Sequence, residues 1–175
     1  MDRIKGKAFY FGENIDTDQI LPGYAMSALP EELGNFALKG SEKPDFPEVV
    51  QLGDIILADD NFGCGSSREQ APVALKSSGL GAVIASSFAR IFRRNAINIG
   101  LPVLMTDHMA LIKKETKEGD LLELDVKNAI LTNTRTGKTY ELRQLSATTY
   151  ETLAAGGLIN KVRNILTTRG EKIEQ

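Results

Sequence analysis

The chain has 175 residues, of which 42% are hydrophobic and 25% charged, and its formal net charge is −2. This is ordinary globular composition, and the length suits one domain over residues 1–175 with a real core. The small net charge gives no general electrostatic footprint for nucleic acid or a membrane surface, so we expect neither as a partner.

Strand and helix signals alternate through the first two thirds of the chain. Runs rich in β-branched and aromatic residues predict strands at residues 5–11, 49–52, 54–58, 81–85 and 102–105. Runs of helix formers predict a short helix near Pro30 and longer ones at 70–78 and 88–98, the last capped by Ser86 or Ser87. This alternation predicts an α/β fold with parallel strands and right-handed crossovers.

The remaining segments have a different character. Residues 40–47 are rich in Gly, Ser, Pro and charge, which predicts a mobile loop. Alternating apolar residues predict a β-hairpin or meander over 120–126, 129–132 and 138–142. Helices at 149–155 and 158–166 close the chain, and a charged, frayed tail is expected from about residue 168 to 175.

Two classes of location are excluded by what the chain lacks. Its first residues have no apolar signal-peptide core, and no run of 18 apolar residues predicts a transmembrane helix. Cys64 is the only cysteine, so no internal disulfide forms. These features predict a cytoplasmic protein.

The densest chemistry follows the predicted strand at 54–58, where the chain continues Asp-Asp-Asn-Phe-Gly-Cys-Gly-Ser-Ser-Arg-Glu. Gly63 and Gly65 accept positive φ and let a ligand approach the backbone. Arg68 offers a planar guanidinium suited to a carboxylate or phosphate, and the amides of a following helix favour an anion. Ligands of α/β units bind at the carboxyl ends of strands, so this loop indicates an anion site with serine hydroxyls beside it.

A purely structural interpretation competes with the anion site. Ser66 and Glu69 have the spacing of a capping box, which would only start a helix. Pro72 would then lie deeper than the first turn and remove a backbone hydrogen bond. We therefore expect a helix that begins later, or a kinked first turn, and both interpretations stay open at this point.

Four other features of the sequence are weaker candidates for a site. Asp16 and Asp18 flank Thr17, but no calcium-loop glycine and glutamate follow, so a turn with Asx hydrogen bonds is favoured. His108 lies outside any recognisable catalytic context. Cys64 is either a reactive thiol near a helix N-terminus or a small packing residue. One cysteine and one histidine are too few soft ligands for this chain to hold a metal or an iron–sulfur cluster by itself.

Arginine is concentrated on the predicted helix at 88–98. Arg90, Arg93 and Arg94 stand beside apolar residues of that helix. This arrangement favours a solvated face or a partner contact over a nucleic-acid stripe.

Four segments resemble motifs of the aconitase superfamily. Residues 63–69 resemble its Gly-Ser-Ser-Arg-Glu loop, and residues 14–22 resemble its Asp-Thr-Asp-x-Ile segment. Residues 87–92 and 98–102 resemble the helix and strand that follow the loop. The order and spacing over about residues 4–166 are similar to the small, stand-alone subunits of 3-isopropylmalate dehydratases and their archaeal-type homoaconitase relatives.

The resemblance implies a swivelling β/β/α domain, with a mixed sheet and flanking helices. It implies a hydro-lyase that isomerises 2-isopropylmalate and 3-isopropylmalate in leucine biosynthesis. This chain would bind no cofactor, and a separate large subunit would hold a 4Fe–4S cluster in a heterodimer or heterotetramer. By motif position, Ser66 would be the catalytic base, and Ser67, Arg68, Asp18 and Gly65 would bind a dicarboxylate substrate.

In that family, a segment after the Asp-Thr-Asp motif helps to select the substrate, often through Tyr-Leu-Arg. The segment here is Tyr24-Ala25-Met26-Ser27, without arginine, which disfavours a third carboxylate and favours an apolar group such as isopropyl beside Ala25 and Met26. Citramalate or citraconate, dimethylmalate and homoaconitate are alternative substrates. A non-catalytic anion-binding or regulatory module is the alternative from another functional class.

Overall fold

A seven-stranded mixed sheet forms the centre of the computed structural model, which describes residues 3–170. The strands are β1 Arg3–Tyr10, β2 Ile55–Ala58, β3 Ala82–Ala85, β4 Val103–Met105, β5 Leu121–Asp125, β6 Ile130–Asn133 and β7 Thr139–Glu141. Their spatial order is β4-β3-β2-β1-β5-β6-β7. The first four are parallel and the last three add antiparallel pairs, which confirms the predicted α/β class and mixed sheet.

Helices lie on both faces of the parallel half. They are α1 Thr17–Ile20, α2 Phe46–Val49, α3 Gln70–Ser77, α4 Arg90–Asn98, α5 Met109–Glu115, α6 Ala147–Ala154 and α7 Leu158–Thr168, with 3-10 turns at Gly23–Ala25 and Pro30–Phe36. No helix among residues 3–170 has the length and apolarity needed to cross a membrane.

The sheet separates two hydrophobic cores. Side chains alternate along each strand, so Ile56 and Ala58 of β2 enter one core while Ile55 and Leu57 enter the other. Helices α3, α4 and α6 contribute to the first core, and α5 with β5–β7 contributes to the second. Burial on both faces explains why β2 and β3 are continuous apolar runs rather than alternating ones.

The predicted strand at 49–52 is wrong, because the preceding residues form the short helix α2. Phe46 begins this helix and is fully buried, with its ring centroid 4.9 Å from that of Phe9 and 6.2 Å from that of Phe11. This burial holds the end of the segment 40–47, for which a mobile loop was expected. Burial of Phe46 against two aromatic rings therefore outweighs the local strand propensity of Val49 and Val50.

Helix α4 begins at Arg90, and neither predicted serine caps it. The Ser87 hydroxyl instead accepts a hydrogen bond from the Asn61 amide (2.8 Å) and donates to Asp60 (3.1 Å). The N-cap residue Ala89 has no side-chain acceptor, so the amides of the first turn have no side-chain cap.

The carboxyl-terminal third forms the predicted β-meander and the two predicted closing helices. Ser146 caps α6 by accepting from the Thr149 amide at 3.1 Å, which starts that helix earlier than expected. Helix α5 had not been predicted. Helix α7 ends at Thr168, where the predicted tail begins, and residues 171–175 of that tail lie outside the described residues.

A buried carboxylate joins two parts of the antiparallel half. Asp120 accepts hydrogen bonds from Arg135 Nε (2.8 Å) and Nη2 (2.9 Å), from the Lys117 amide (2.8 Å) and from Asn133 Nδ2 (3.0 Å). The hydrogen bond from Arg135 is the largest cause that holds the pKa of this carboxyl well below its usual range. Its side chain is only 8% exposed, so the network is a structural element of the fold.

Replacing Asp120 by asparagine is expected to lower the free energy of unfolding by about 2 kcal/mol at neutral pH, because charge-assisted hydrogen bonds are lost. The folded-state pKa lies below the unfolded value, so this stability is present above about pH 4 and is lost as the pH falls. In urea unfolding, the free energy of unfolding should therefore fall less between pH 7 and pH 3 in Asp120→Asn than in wild type. Asp45→Asn, at an exposed carboxylate without an ion pair among residues 3–170, is the matched control and should keep the pH dependence of wild type. Equal pH dependence in Asp120→Asn and wild type would contradict this role.

Candidate active site

The glycine-rich loop lies at the carboxyl end of β2, between the segments that leave β1 and β3. Its backbone pairs with both neighbours as isolated parallel bridges, Asp16 with Cys64 and Phe62 with Phe88. The hydrogen bonds are Gly63 N to Ile15 O (2.7 Å), Thr17 N to Cys64 O (2.9 Å), Phe62 N to Ser87 O (3.1 Å) and Ala89 N to Phe62 O (2.9 Å). The three segments therefore lie side by side in the same order as β1, β2 and β3, beyond the carboxyl ends of these strands.

Gly63 is required by both conformation and space. Its φ is +85°, and a Cβ there would lie 2.2 Å from Cγ of Phe92. Phe92 is buried and its ring packs 5.4 Å from that of Phe62. Gly65 also has positive φ, at +90°, but a Cβ there would meet only ordinary contacts. The first glycine thus lets helix α4 pack directly on the loop, and the second turns the chain toward solvent.

Ser66 and Ser67 are exposed at the tip of this loop. Within residues 3–170 neither hydroxyl makes a hydrogen bond, while the Thr17 hydroxyl donates to the carbonyl of Ser66 at 2.8 Å. The backbone of the loop is held in place, and both serine hydroxyls remain available to a ligand.

The capping-box interpretation is wrong. Helix α3 begins at Gln70 with Glu69 as its N-cap, so Ser66 lies outside the helix and caps nothing. Pro72 is then the third helical residue, in the first turn, where its missing amide has no intrahelical partner to lose. The expectation of a later helix start is confirmed.

Arg68 is held in a defined orientation by two contacts. Its Nη1 donates to the Leu21 carbonyl at 2.9 Å and forms an ion pair with Asp18. The Arg68 side chain is only 17% exposed, whereas that of Asp18 is 68% exposed. The guanidinium therefore lies at the wall of the site, and Asp18 reaches it from helix α1.

Asp16 has the structural role that the sequence favoured for this segment. Its carboxylate accepts from the Gln19 amide at 2.8 Å, and the Gln19 side chain accepts from the Asp16 amide at 2.9 Å. This reciprocal pair caps α1 and fixes Asp18 two residues later.

A cavity of about 180 Å³ lies beside the loop. Four of the predicted site residues line it, Gly65, Ser66, Ser67 and Arg68, together with Thr17, Gly63, Ala89, Arg90, Ile91, Phe92 and Asn95. The structure thus brings the predicted base and guanidinium together. Asp18 does not line the cavity and acts on it through Arg68.

Arg90 and Asn95 are cavity residues that the sequence reasoning missed. Arg90 is exposed and has no ion pair within the described part of the chain. It is the first residue of α4, whose uncapped first turn also lines the cavity and favours an anion there. The sequence did contain a signal for Arg90. It follows strand β3 as Ser66 follows strand β2, and the carboxyl ends of adjacent parallel strands lie at the same edge of the sheet.

The predicted specificity segment is separate from this cavity. Tyr24, Ala25, Met26 and Ser27 are not among the residues that line it. Tyr24 is 71% exposed and packs edge-on against Phe36, with ring centroids 6.1 Å apart. Ala25 is only 2% exposed and belongs to the first core, so its side chain shapes the segment instead of lining an open pocket as predicted.

The cysteine and histidine add no reactive group to the cavity. Burial, followed by the nearby Asp16 carboxylate, raises the pKa of the Cys64 thiol, which favours the packing interpretation over a reactive thiolate. His108 stands before α5, and it is not among the cavity residues. Over residues 3–170, no group of three or more His, Cys, Asp or Glu side chains is arranged to hold a metal ion.

Comparison with known proteins gives a consistent result. The Aconitase C-terminal domain family matches residues 39–109, which include the glycine-rich loop and helix α4. The 3-isopropylmalate dehydratase small subunit of Nautilia profundicola is 47% identical over 167 residues, covering 95% of this chain and 98% of that protein. The isopropylmalate/citramalate isomerase small subunit of Methanocaldococcus jannaschii is 48% identical, covering 89% of this chain and 91% of that protein.

A solved structure extends the similarity to three dimensions. The crystal structure of a 3-isopropylmalate dehydratase from Methanocaldococcus jannaschii superposes with a TM-score of 0.87 at 42% identity. The alignment covers 96% of this chain and 98% of that chain. It confirms the predicted fold class.

Proposed function

The chain belongs to the family of 3-isopropylmalate dehydratase small subunits, and we propose that it is the small subunit of a hydro-lyase that interconverts 2-isopropylmalate and 3-isopropylmalate. The reaction removes water from a hydroxy-diacid and adds it back at the neighbouring carbon. Its place would be leucine biosynthesis in the cytoplasm, with neither nucleic acid nor membrane as partner. The domain would span residues 1–175.

The observation that carries this proposal is the free hydroxyl of Ser66 in a cavity that is also lined by two arginines, Arg68 and Arg90. Dehydration requires a base that takes the proton from the carbon next to a carboxylate. A serine hydroxyl does this only if its alkoxide is stabilised. The Arg68 guanidinium, the loop amides and the first turn of α4 are fixed donors of the kind that stabilise such charge. Ser66 is the proposed base.

The two carboxylates of the substrate need separate contacts. One carboxylate would be bound by Ser67, the Gly65 amide and Arg68. The ion pair with Asp18 would keep the Arg68 guanidinium in position. Arg90 stands on the α4 side of the same cavity without an internal ion pair, and it would bind the other. A dicarboxylate would thus be held across the loop and the helix, with the proton to be removed near Ser66.

The chain provides only half of the chemistry. Its single cysteine and single histidine do not make a ligand set for an iron–sulfur cluster, and the residues described here form none. A separate large subunit would hold a 4Fe–4S cluster, which when bound supplies a Lewis acid for the leaving hydroxyl. The small chain would bind and orient the carboxylates and take the proton, in a heterodimer or heterotetramer.

The substrate's side group is the less specific part of the proposal. Relatives 44–47% identical to this chain are named for 3-isopropylmalate, so isopropylmalate is the first choice, and the absence of charge at Tyr24, Met26 and Ser27 agrees with it. One relative is named for both isopropylmalate and citramalate, which makes citramalate the second candidate. Dimethylmalate and homoaconitate are weaker alternatives for the same reaction.

Reconstitution tests the proposal directly. The chain alone should show no turnover. Mixed anaerobically with a cluster-bearing large dehydratase subunit from the same source, it should convert isopropylmalate faster than citraconate, dimethylmalate or homoaconitate. The large subunit without this chain is the control. If dicarboxylates raise the melting temperature of the chain but no large subunit gains activity from it, the chain is a non-catalytic anion-binding module.

A further inference from the structure

A second cavity, of about 450 Å³, lies between helices α4 and α6. Among the residues that line it are three arginines of α4 and Leu158 of α7, namely Arg90, Arg93, Arg94 and Leu158, and threonines of α6 form the opposite side. We call its arginines the α4 arginine cluster. Nothing in the proposed reaction uses Arg93 or Arg94.

The charges of the α4 arginine cluster have no counterpart within residues 3–170. Arg3, Arg68, Arg135 and Arg143 each form an ion pair with a carboxylate, while the three cluster arginines form none. Arg163 and Arg169 of the carboxyl-terminal region are also without an ion pair among the described residues, but of these unpaired arginines only the three of α4 line one cavity together. The nearest acidic group on α6, Glu151, is paired with Lys161 at 3.5 Å. Spacings of three and four residues place the like charges on one helix face, where they repel each other.

Arg93 gives the most specific signal in the cluster. Its Nε is buried and has no hydrogen-bond acceptor among the described residues. A buried donor without an acceptor is costly, and native structures rarely leave one unpaired. A carboxylate placed in the cavity from outside would neutralise the guanidinium groups that line it, and a small shift of the Arg93 side chain would let Nε donate to that carboxylate.

The cluster adjoins both the candidate active site and an exposed apolar surface. Arg90 lines both cavities, so a protein bound over the second cavity would also lie next to the first. Leu158 begins α7, a helix with no buried residue, and Ile159 on it is 69% exposed. Val162 and Ile165 are 46% and 43% exposed. A basic rim beside exposed aliphatic side chains is the composition of a protein interface.

We propose that this face of α4 and α7 docks the large subunit through an acidic segment of that protein, whose carboxylates bind Arg93 and Arg94. The inference rests on the proposed function, because the large subunit is the partner that function requires. Docking here sets the second protein against the rim of the Ser66 cavity. The α4 arginine cluster would thus steer and strengthen association of the two proteins.

The test measures binding of the small chain to the reconstituted large subunit by isothermal titration calorimetry. Arg93→Glu/Arg94→Glu should weaken Kd by roughly 100-fold, since like charges then meet at the interface. Lys114→Glu/Lys127→Glu makes the same change in net charge at exposed positions away from this face and should bind as wild type does. Added salt should weaken binding of wild type more than that of the cluster variant.

Two further measurements separate docking from folding and from catalysis. Arg94→Glu alone, at an exposed position, should weaken Kd by roughly 10-fold without lowering the melting temperature. At saturating large subunit both variants should keep the wild-type kcat, because neither residue lines the Ser66 cavity.

Equal Kd for the cluster variant, the lysine control and wild type would overturn the inference. That result is also expected if a small anion occupies the cavity. Failure of the proposed function gives a different result, because the wild-type chain itself would then neither bind nor activate a large subunit.

Discussion

Replacing Ser66 by alanine is expected to lower kcat of the reconstituted enzyme by about 1,000-fold, the scale on which a positioned base contributes. The hydroxyl is exposed to the cavity and has no hydrogen bond within the described chain. Its removal therefore leaves the fold, the loop backbone and subunit association unchanged. The Thr17 hydroxyl still holds the carbonyl of residue 66 in place.

Ser67→Ala is the matched control for Ser66→Ala. It removes an adjacent hydroxyl of equal exposure from the same loop. Because Ser67 is proposed to bind and not to take the proton, its loss should raise KM more than it lowers kcat. Steady-state kinetics at saturating large subunit separates the two effects. Near-normal turnover in Ser66→Ala would show that another group is the base.

Replacing Arg68 by lysine is expected to lower kcat/KM by about 100-fold, mainly through KM. Lysine keeps the charge but loses the planar fork, and a charge-assisted hydrogen bond to a carboxylate is worth about 2 to 3 kcal/mol. The change also removes a donor from the Leu21 carbonyl and alters the ion pair with Asp18. The expected loss is therefore in orientation of the bound carboxylate.

Arg3→Lys serves as the control for Arg68→Lys, since Arg3 is an exposed residue of β1 that forms an ion pair with Glu123 of β5. It should leave kcat and KM unchanged. Asp18→Asn should produce a smaller loss than Arg68→Lys, because Asp18 positions the guanidinium and does not line the cavity. Unchanged kinetics in Arg68→Lys would count against the proposed clamp.

Sequence patterns predicted the parallel half of the fold well, for a physical reason. The strands β2 and β3 are buried on both faces, so burial alone requires short, uninterrupted apolar runs bounded by polar residues. The glycine-rich loop was also found from sequence, because two glycines, two hydroxyls and a guanidinium in so few residues have few structural uses. Its place at a strand's carboxyl end followed from the alternation of strands and helices.

The errors came where a distant contact decides the local structure. Residues 49–52 have strand propensity, but with Phe46 buried beside Phe9 the chain forms helix α2, which ends at Val49. Ser87 has the composition of a cap, yet its hydroxyl bonds Asn61 and Asp60 of another loop. Arg90 was assigned to a solvated or partner-facing surface because helical spacing says nothing about which loop faces the first turn.

The way in which the three segments of the candidate site are joined has an evolutionary consequence. Their bridges use main-chain atoms, so the geometry around Ser66 does not depend on the side chains at most of these positions. In the part of the chain that the structure describes, residues 23–29 share no backbone hydrogen bond with residues 61–68. Changes at the exposed positions of the former segment, such as Tyr24, therefore have no backbone route by which to disturb the latter. Divergence toward a new diacid could then begin at such positions while the loop around Ser66 keeps its geometry.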